Sequence, residues 1–255
     1  MTVIPTKPLA GWRVLVPRGG RWGDSVAASL RGLGAVPVVA PIINFASTDN
    51  PEALQGALRE LEAGAFAWLV VTSATTVDVL ASHGTTVPEG TRIAAVGETT
   101  AGALSLAGYE VDFVPQGDYS ARGLFKEWPG GHGSGRVLLP QSDIAEPTLL
   151  AGLTKLGFNV TFISAYRTVG VPVSDEVAAD VASGRINAVL VSSGSVARQL
   201  AAQLAPLPSA TVVACIGPRT AFDTRSAGLT VHTIAETRSA QSLIEALVEY
   251  AEVQA

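Results

Sequence analysis

One short constellation occurs twice in this chain, about half its length apart, and the repetition limits the folds open to it. Val70-Val71-Thr72-Ser73 recurs as Leu190-Val191-Ser192-Ser193, and Ile93-Ala94-Ala95-Val96-Gly97 recurs as Val213-Ala214-Cys215-Ile216-Gly217. Thr100-Ala101 is answered by Thr220-Ala221, and Gly108 by Gly228. These pairs lie 120 residues apart (73 to 193, 97 to 217, 108 to 228). Upstream, Arg13-Val14-Leu15-Val16-Pro17 and Arg136-Val137-Leu138-Leu139-Pro140 lie 123 apart (13 to 136). A period this long exceeds a solenoid unit and marks a duplicated domain. It suggests one ligand held between two similar halves.

Each half reads as five short apolar strands alternating with helices. The strands are expected near 13–17, 36–40, 67–72, 92–96 and 110–114, then near 136–140, 159–164, 187–192, 211–216 and 230–234. Several are unbroken Val/Ile/Leu/Ala runs, as strands covered on both faces require. Asp24-Ser25 can cap a helix over 25–33 that ends at Gly32 or Gly34, and Ser73 and Ser193 can cap helices near 74–82 and 195–204. Pro218 suits the first turn of a helix that stops before Gly228. Parallel strands with interleaved helices predict doubly wound, flavodoxin-like α/β units, and 255 residues allow two of them. Residue pattern alone would cut the chain near 130–135, in the loop Gly130-Gly131-His132-Gly133-Ser134-Gly135.

Composition closes off several function classes. The net charge of −5 argues against a nucleic-acid surface, which needs clustered Lys and Arg. An anionic small ligand stays open, because a pocket's local field can oppose the net charge. Fourteen of the 17 basic residues are Arg, a side chain suited to fixed carboxylate contacts. The single cysteine, Cys215, excludes a disulfide framework or a thiolate metal cluster and reads as a small buried residue. His83, His132 and His232 lack metal-ligand spacing and are expected on surface or loops. The first residues carry no apolar signal core and no run reaches membrane-spanning length, so a cytoplasmic protein is expected. The loop at 130–135 lacks the Lys-Ser/Thr ending of a P-loop, and Gly19-Gly20-Arg21-Trp22-Gly23 lacks the spacing of a dinucleotide fingerprint.

In open α/β sheets, ligands bind beyond the carboxyl ends of the strands. The repeated positions fall there: Pro17-Arg18 and Pro140-Gln141, Thr72-Ser73 and Ser192-Ser193, Gly97 and Gly217. Each leads into a helix N-terminus, where free N–H groups and the helix dipole favour anions. Ser73, Ala74, Ser193, Gly194, Gly97 and Gly217 are small enough for a ligand to approach the backbone. The copies differ in charge: Glu98 follows Gly97, whereas Pro218-Arg219 follows Gly217, which makes the second turn the better anion site. No nucleophile elbow, Ser-His-Asp set or catalytic carboxylate pair stands out, and Asp143 and Glu146 read as the first turn of a helix near 144–156. Chemistry here should rest on positioning.

At these residues the chain resembles the uroporphyrinogen-III synthase family. The likeness runs from about Trp12 to Leu247 and is carried by stretches 71–73, 96–101, Ala165-Tyr166-Arg167-Thr168, Ser192-Ser193-Gly194-Ser195 and Ile216-Gly217-Pro218-Arg219-Thr220-Ala221. The resemblance implies two α/β domains joined by a two-stranded ribbon, with the chain crossing twice. The first would combine 1–40 with 168–255, the second would be 46–161, and the crossings would be 41–45 and 162–167. It also implies a lyase without metal or organic cofactor, which closes the linear tetrapyrrole hydroxymethylbilane into uroporphyrinogen III, inverting the last pyrrole ring and releasing water.

The resemblance further implies roles for particular residues. Tyr166 is the candidate acid at the departing hydroxyl, or the residue that orients a water there. Thr100 and Thr220 match family threonines that could bond substrate carboxylates, and Arg18 and Arg219 are expected carboxylate partners. Thr72, Ser73, Ala74, Ser193, Gly194, Ser195 and Gly217 would supply the binding turns. Glu98 departs from the family pattern. A monomer is expected, with transient contact to the preceding pathway enzyme. The alternative is a non-catalytic tetrapyrrole or small-anion binding protein of the same fold. Such a role usually brings an attached effector, and the expected last helix, near 240–252, leaves no space for one before Ala255.

Overall fold

A computed structural model describes residues 7–129 and 133–254. In chain order the strands are β1 (Arg13–Val16), β2 (Val36–Val39), β3 (Ile43–Ser47), β4 (Trp68–Val71), β5 (Arg92–Ala95), β6 (Arg136–Ser142), β7 (Asn159–Gly170), β8 (Ala188–Val191), β9 (Val212–Cys215) and β10 (Thr233–Ile234). The helices are α1 (Gly20–Gly32), α2 (Pro51–Glu62), α3 (Ala74–Ser82), α4 (Glu98–Leu106), α5 (Ala121–Lys126), α6 (Thr148–Lys155), α7 (Asp175–Ala182), α8 (Gly194–Leu204), α9 (Pro218–Ser226) and α10 (Ala240–Gln254). They divide into two compact units. One combines residues up to Asn44 with those from Val169 onward, and the other is Phe45–Thr168.

The first unit holds a sheet in the order β10-β9-β8-β1-β2, and the second a sheet in the order β3-β7-β6-β4-β5. Every register recorded between neighbours in the first sheet is parallel, as are β7-β6, β6-β4 and β4-β5 in the second. The order exchanges halves of the sequence repeat: β1 and β2 open the first copy, yet their sheet is completed by β8, β9 and β10 from the second. A cut near 130–135 would pass through the second unit, because β6 follows that point and pairs with β4 before it. Gly130-Gly131-His132 lies outside the described residues.

The unbroken apolar runs follow from burial on both faces. Alternate residues of one strand enter different cores: Val14 and Val16 pack with Leu30 and Leu243, while Leu15 packs with Val189, Val191 and Leu200. In the second unit Leu69 and Val71 join one core, and Trp68 and Val70 the other. The edge strand β2 carries Pro37, which has no N–H to give and is tolerated at an edge. Cys215 is fully buried in β9, and burial pushes its thiol pKa up, so it stays protonated.

Four local expectations need correction. The helix expected from Asp24-Ser25 begins at Gly20, with Gly19 as its N-cap. A side chain at Gly23 would stand 2.1 Å from the Arg18 carbonyl oxygen, so glycine there lets the helix start directly after the turn. The helix expected over 144–156 begins only at Thr148, because Pro147 disfavours helical backbone at the residue before it. The strand expected at 110–114 shrinks to one bridge between Ala94 and Phe113, and that at 230–234 to two residues. In both, a side chain takes a backbone N–H of the neighbouring strand: Asp112 accepts from Ile93 at 2.7 Å, and His232 Nδ1 from Val213 at 3.0 Å. His232 thus lies in the loop just before β10, as expected, but is half-buried and tied to β9 through its ring.

Candidate functional site: the strand ends of each sheet

Tyr166 lies near the end of β7 in the second unit. Along β6 and β7 the register runs Gln141 to Ser164, then skips to Ser142 with Tyr166. The one-residue bulge puts consecutive residues Ala165 and Tyr166 into the same core, which a regular strand cannot do. Asp143 clamps the irregularity. Its N–H donates to the Tyr166 carbonyl at 3.0 Å, and its Oδ1 accepts from Ser142 Oγ at 2.9 Å and Thr168 N–H at 3.1 Å. The Tyr166 ring meets Phe45 edge-on, with centroids 5.3 Å apart. Its hydroxyl lies 3.0 Å from Ser73 Oγ, after the C-terminal end of β4.

Ser73 caps α3 by accepting from Thr76 N–H at 3.1 Å, and Ser193 caps α8 the same way from Val196 N–H at 3.3 Å. The residues before these caps differ in their bonding. Thr72 Oγ1 accepts from Gln141 Nε2 at 3.1 Å, whereas Ser192 Oγ is buried with no hydrogen-bond partner among the described residues. Arg18 stands where the other repeat has Gln141, and its guanidinium lies 5.3 Å from the Trp22 ring centre. Thr100 and Thr220 are both buried, in the first turns of α4 and α9. The helix-interior threonine that bonds its own backbone in α9 is Thr224, which donates to the Thr220 carbonyl at 2.7 Å.

The small residues at the turns are packed against other parts of the chain. A side chain at Gly97 would come within 3.1 Å of Tyr119 Cβ, and one at Gly217 within 3.1 Å of Arg238 Cγ. At Gly194 it would come within 2.3 Å of the Asp223 carboxylate, so the protein's own anion already sits at the start of α8. Asp223 also accepts from Arg219 Nε at 3.2 Å, and Arg219 lies 5.5 Å from the Phe222 ring centre. Ser195 Oγ accepts from Arg198 at 3.4 Å.

Tyr119 and Arg238 are equivalent residues of the two repeats, in the loops that follow the Phe113 bridge and β10. Each precedes a cap: Ser120 accepts from Gly123 N–H and Ser239 from Ser242 N–H, both at 3.1 Å. The loop leading to Tyr119 is gathered by Glu127, which accepts from the N–H groups of Gln116, Gly117 and Asp118. The Gln116 N–H above all holds the Glu127 carboxyl below its usual range, against the opposing effect of burial. Among the described residues, no group of three or more His, Cys, Asp or Glu could hold a metal ion.

The family model for uroporphyrinogen-III synthase HemD matches residues 24–245. The chain belongs to the uroporphyrinogen-III synthase family. A curated relative, the porphyrin biosynthesis protein HemD of Ruminiclostridium josui, is 27% identical over 254 residues, covering 95% of this chain and 49% of the relative. The chain thus spans about half the length of the curated relative it matches. Two solved structures share the fold. A mutant uroporphyrinogen III synthase from Thermus thermophilus has a TM-score of 0.68 at 20% identity, covering 95% of this chain and 99% of that one. The uroporphyrinogen-III synthetase of Helicobacter pylori has a TM-score of 0.63 at 15% identity, covering 93% and 99%.

For this member of the family, Arg18 lies outside the matched stretch and every other candidate residue lies within it. The structure joins Tyr166 directly to Ser73, and sets Thr72, Ala74 and Thr100 on the same sheet's strand ends. Arg18, Ser193, Gly194, Ser195, Gly217, Arg219 and Thr220 occupy the strand ends of the other sheet. Tyr119 and Arg238 escaped the sequence reading. A signal for them existed: Ser120-Ala121 and Ser239-Ala240 form one more repeated pair, 119 residues apart (120 to 239).

Proposed function

We propose that this chain acts as a uroporphyrinogen-III synthase, closing hydroxymethylbilane into uroporphyrinogen III with inversion of the last pyrrole ring and loss of water. The observation that carries this reading is Tyr166, aimed by a strand bulge and hydrogen-bonded to the α3 cap at the ligand-binding edge of its sheet. Loss of the substrate hydroxyl leaves a reactive cation that closes unaided into the wrong isomer. The enzyme's task is to hold one folded geometry, which accords with a site rich in turns and caps and poor in strong acids. Tyr166 assists at the departing hydroxyl, as a weak acid or by orienting a water. Arg18, Arg219, Thr100, Thr220 and the turns at Thr72–Ala74, Ser193–Ser195 and Gly217 take the substrate carboxylates.

In the same reading, 41–45 and 162–167 form the ribbon between a domain of 1–40 plus 168–255 and a domain of 46–161. The enzyme works as a cytoplasmic monomer without metal or organic cofactor, and it meets the preceding pathway enzyme transiently. No described helix is long and apolar enough to cross a membrane. The test is to supply freshly made hydroxymethylbilane, quench, oxidise, and separate type I from type III uroporphyrin. A catalytic excess of type III is expected. Type I alone from folded protein would overturn the assignment and favour a binding protein of the same fold.

A further inference from the structure

Asp223 stands where a ligand carboxylate would be drawn. Gly194 is the first residue of α8, and a side chain on it would tilt toward the helix N-terminus. That side chain would run into the Asp223 carboxylate. The carboxylate therefore sits at the first turn of α8, where the helix dipole favours an anion. Two guanidinium groups belong to the same place. Arg219 Nε donates to Asp223 Oδ1 at 3.2 Å, and Arg198 reaches Ser195 Oγ, in the first turn of α8, at 3.4 Å. The Asp223 side chain is only 16% exposed, so water and salt screen its charge little. The other repeat has no such residue. Asp223 is answered there by Ala103, Gly194 by Ala74 and Arg219 by Thr99, each 120 positions earlier (223 to 103, 194 to 74, 219 to 99). The same two helices thus pack in the other unit without a carboxylate between them, and the need for Asp223 lies outside the fold.

We propose that Asp223 is an internal competitor for the substrate: it holds the anion seat at the start of α8 and yields it to a substrate carboxylate. This deepens the proposed function and rests on it for the identity of the ligand. An incoming carboxylate must displace the Asp223 side chain or share Arg219 with it. Either way it meets a like charge and a cation already engaged, so it binds less tightly than the turn and the two arginines would hold it alone. The gain is in release. The product keeps the carboxylates of the substrate, and a site made only of attractive contacts would let it go slowly. Asp223 thereby sets KM, a role that its equivalent Ala103 cannot fill.

The test replaces Asp223 by Asn, which keeps the shape and loses the charge, and by Ala, the residue of the other repeat. Two readouts should move in opposite senses. The urea midpoint should fall, because a carboxylate at the start of a helix and beside Arg219 is stabilising. Affinity should rise. KM for hydroxymethylbilane should drop about threefold to tenfold without a rise in kcat, and Kd for uroporphyrin, titrated calorimetrically, should drop alike. An unchanged or raised KM and Kd would overturn the proposal and leave Asp223 as a residue that orients Arg219 or packs α9 on α8. If Asp223→Asn does not fold, Asp223→Ala carries the same comparison. Type I product alone from wild-type protein would remove the enzyme reading, while the uroporphyrin titration still decides the role of Asp223. Failure of wild type and both variants to bind uroporphyrin would overturn the proposal as well.

Discussion

Replacing Tyr166 by Phe removes one oxygen and leaves nearly everything else in place, so its consequences can be worked through. The ring is only 8% exposed and keeps its edge-on contact with Phe45, so apolar burial is unchanged. The bond to Ser73 is lost, but Ser73 Oγ retains Thr76 N–H and Thr76 Oγ1 as partners. The stability cost at the Ser73 contact is that of a neutral hydrogen bond, about 1 kcal/mol, readable from a urea midpoint. The kinetic cost is larger where the hydroxyl serves a charge that develops only during reaction. A hydrogen bond to a charged group contributes about 1.5–3 kcal/mol, so kcat should fall about tenfold to a hundredfold with KM little changed. The assay follows type III against type I uroporphyrin over time, and the slow variant should let spontaneous type I accumulate. Wild-type turnover in a folded Tyr166→Phe protein would refute the reasoning and leave Tyr166 a packing residue.

Three further outcomes are expected. Gly23→Ala forces a methyl to 2.1 Å from the Arg18 carbonyl and should cost about 2–3 kcal/mol in a urea titration, with weaker substrate binding as the Arg18 turn shifts. Ser192→Ala removes a buried hydroxyl without a partner among the described residues and should be neutral or stabilising by up to about 1 kcal/mol, whereas Thr72→Val strands Gln141 and should cost about 1–2 kcal/mol; equal effects would mean the two strand ends are bonded alike. Burial pushes His232 below its ordinary pKa of 6.5, so the unfolded chain takes up a proton that the folded one refuses. The stability from neutral His232 is complete above the unfolded value and is lost as pH falls through the folded one. His232→Asn, a neutral acceptor for the same Val213 N–H, should flatten that decline in urea midpoints measured from about pH 7.5 to 5.

The doubly wound units were legible because their strands are buried on both faces and must be apolar without interruption, as in Trp68–Val71 and Ala188–Val191. The caps Ser73 and Ser193 were legible because a serine ahead of a helix has a local job. The bulge that turns Tyr166 was not, since skipping Ala165 in the pairing changes no residue type. Nor was the start of α1, where glycines that resemble a loop serve close backbone contact. The last strands misled because Asp112 and His232 replace ladder bonds with side-chain ones. Tyr119 and Arg238 stayed hidden because they share no residue type, and neither announces on its own that it will cover a glycine at another turn; only the Ser-Ala pair that follows each of them does.

The exchange of strands between repeats also sets a timetable for a chain made from its N-terminus. The second unit is one continuous stretch, Phe45–Thr168, so its sheet can close while the rest is still being synthesised. The segment β1-α1-β2 emerges earlier but must wait, because the strand that pairs with the other side of β1 is β8. The wait is visible in one contact, the Arg13 N–H bonded to Asn187 Oδ1 across 174 residues. Until then one side of a fully apolar strand, Val14-Leu15-Val16, has no neighbour to pair with. The segment β1-α1-β2 is thus locked in only after β8 has been made, and the interval is when it is most open to aggregation or to a chaperone's grip.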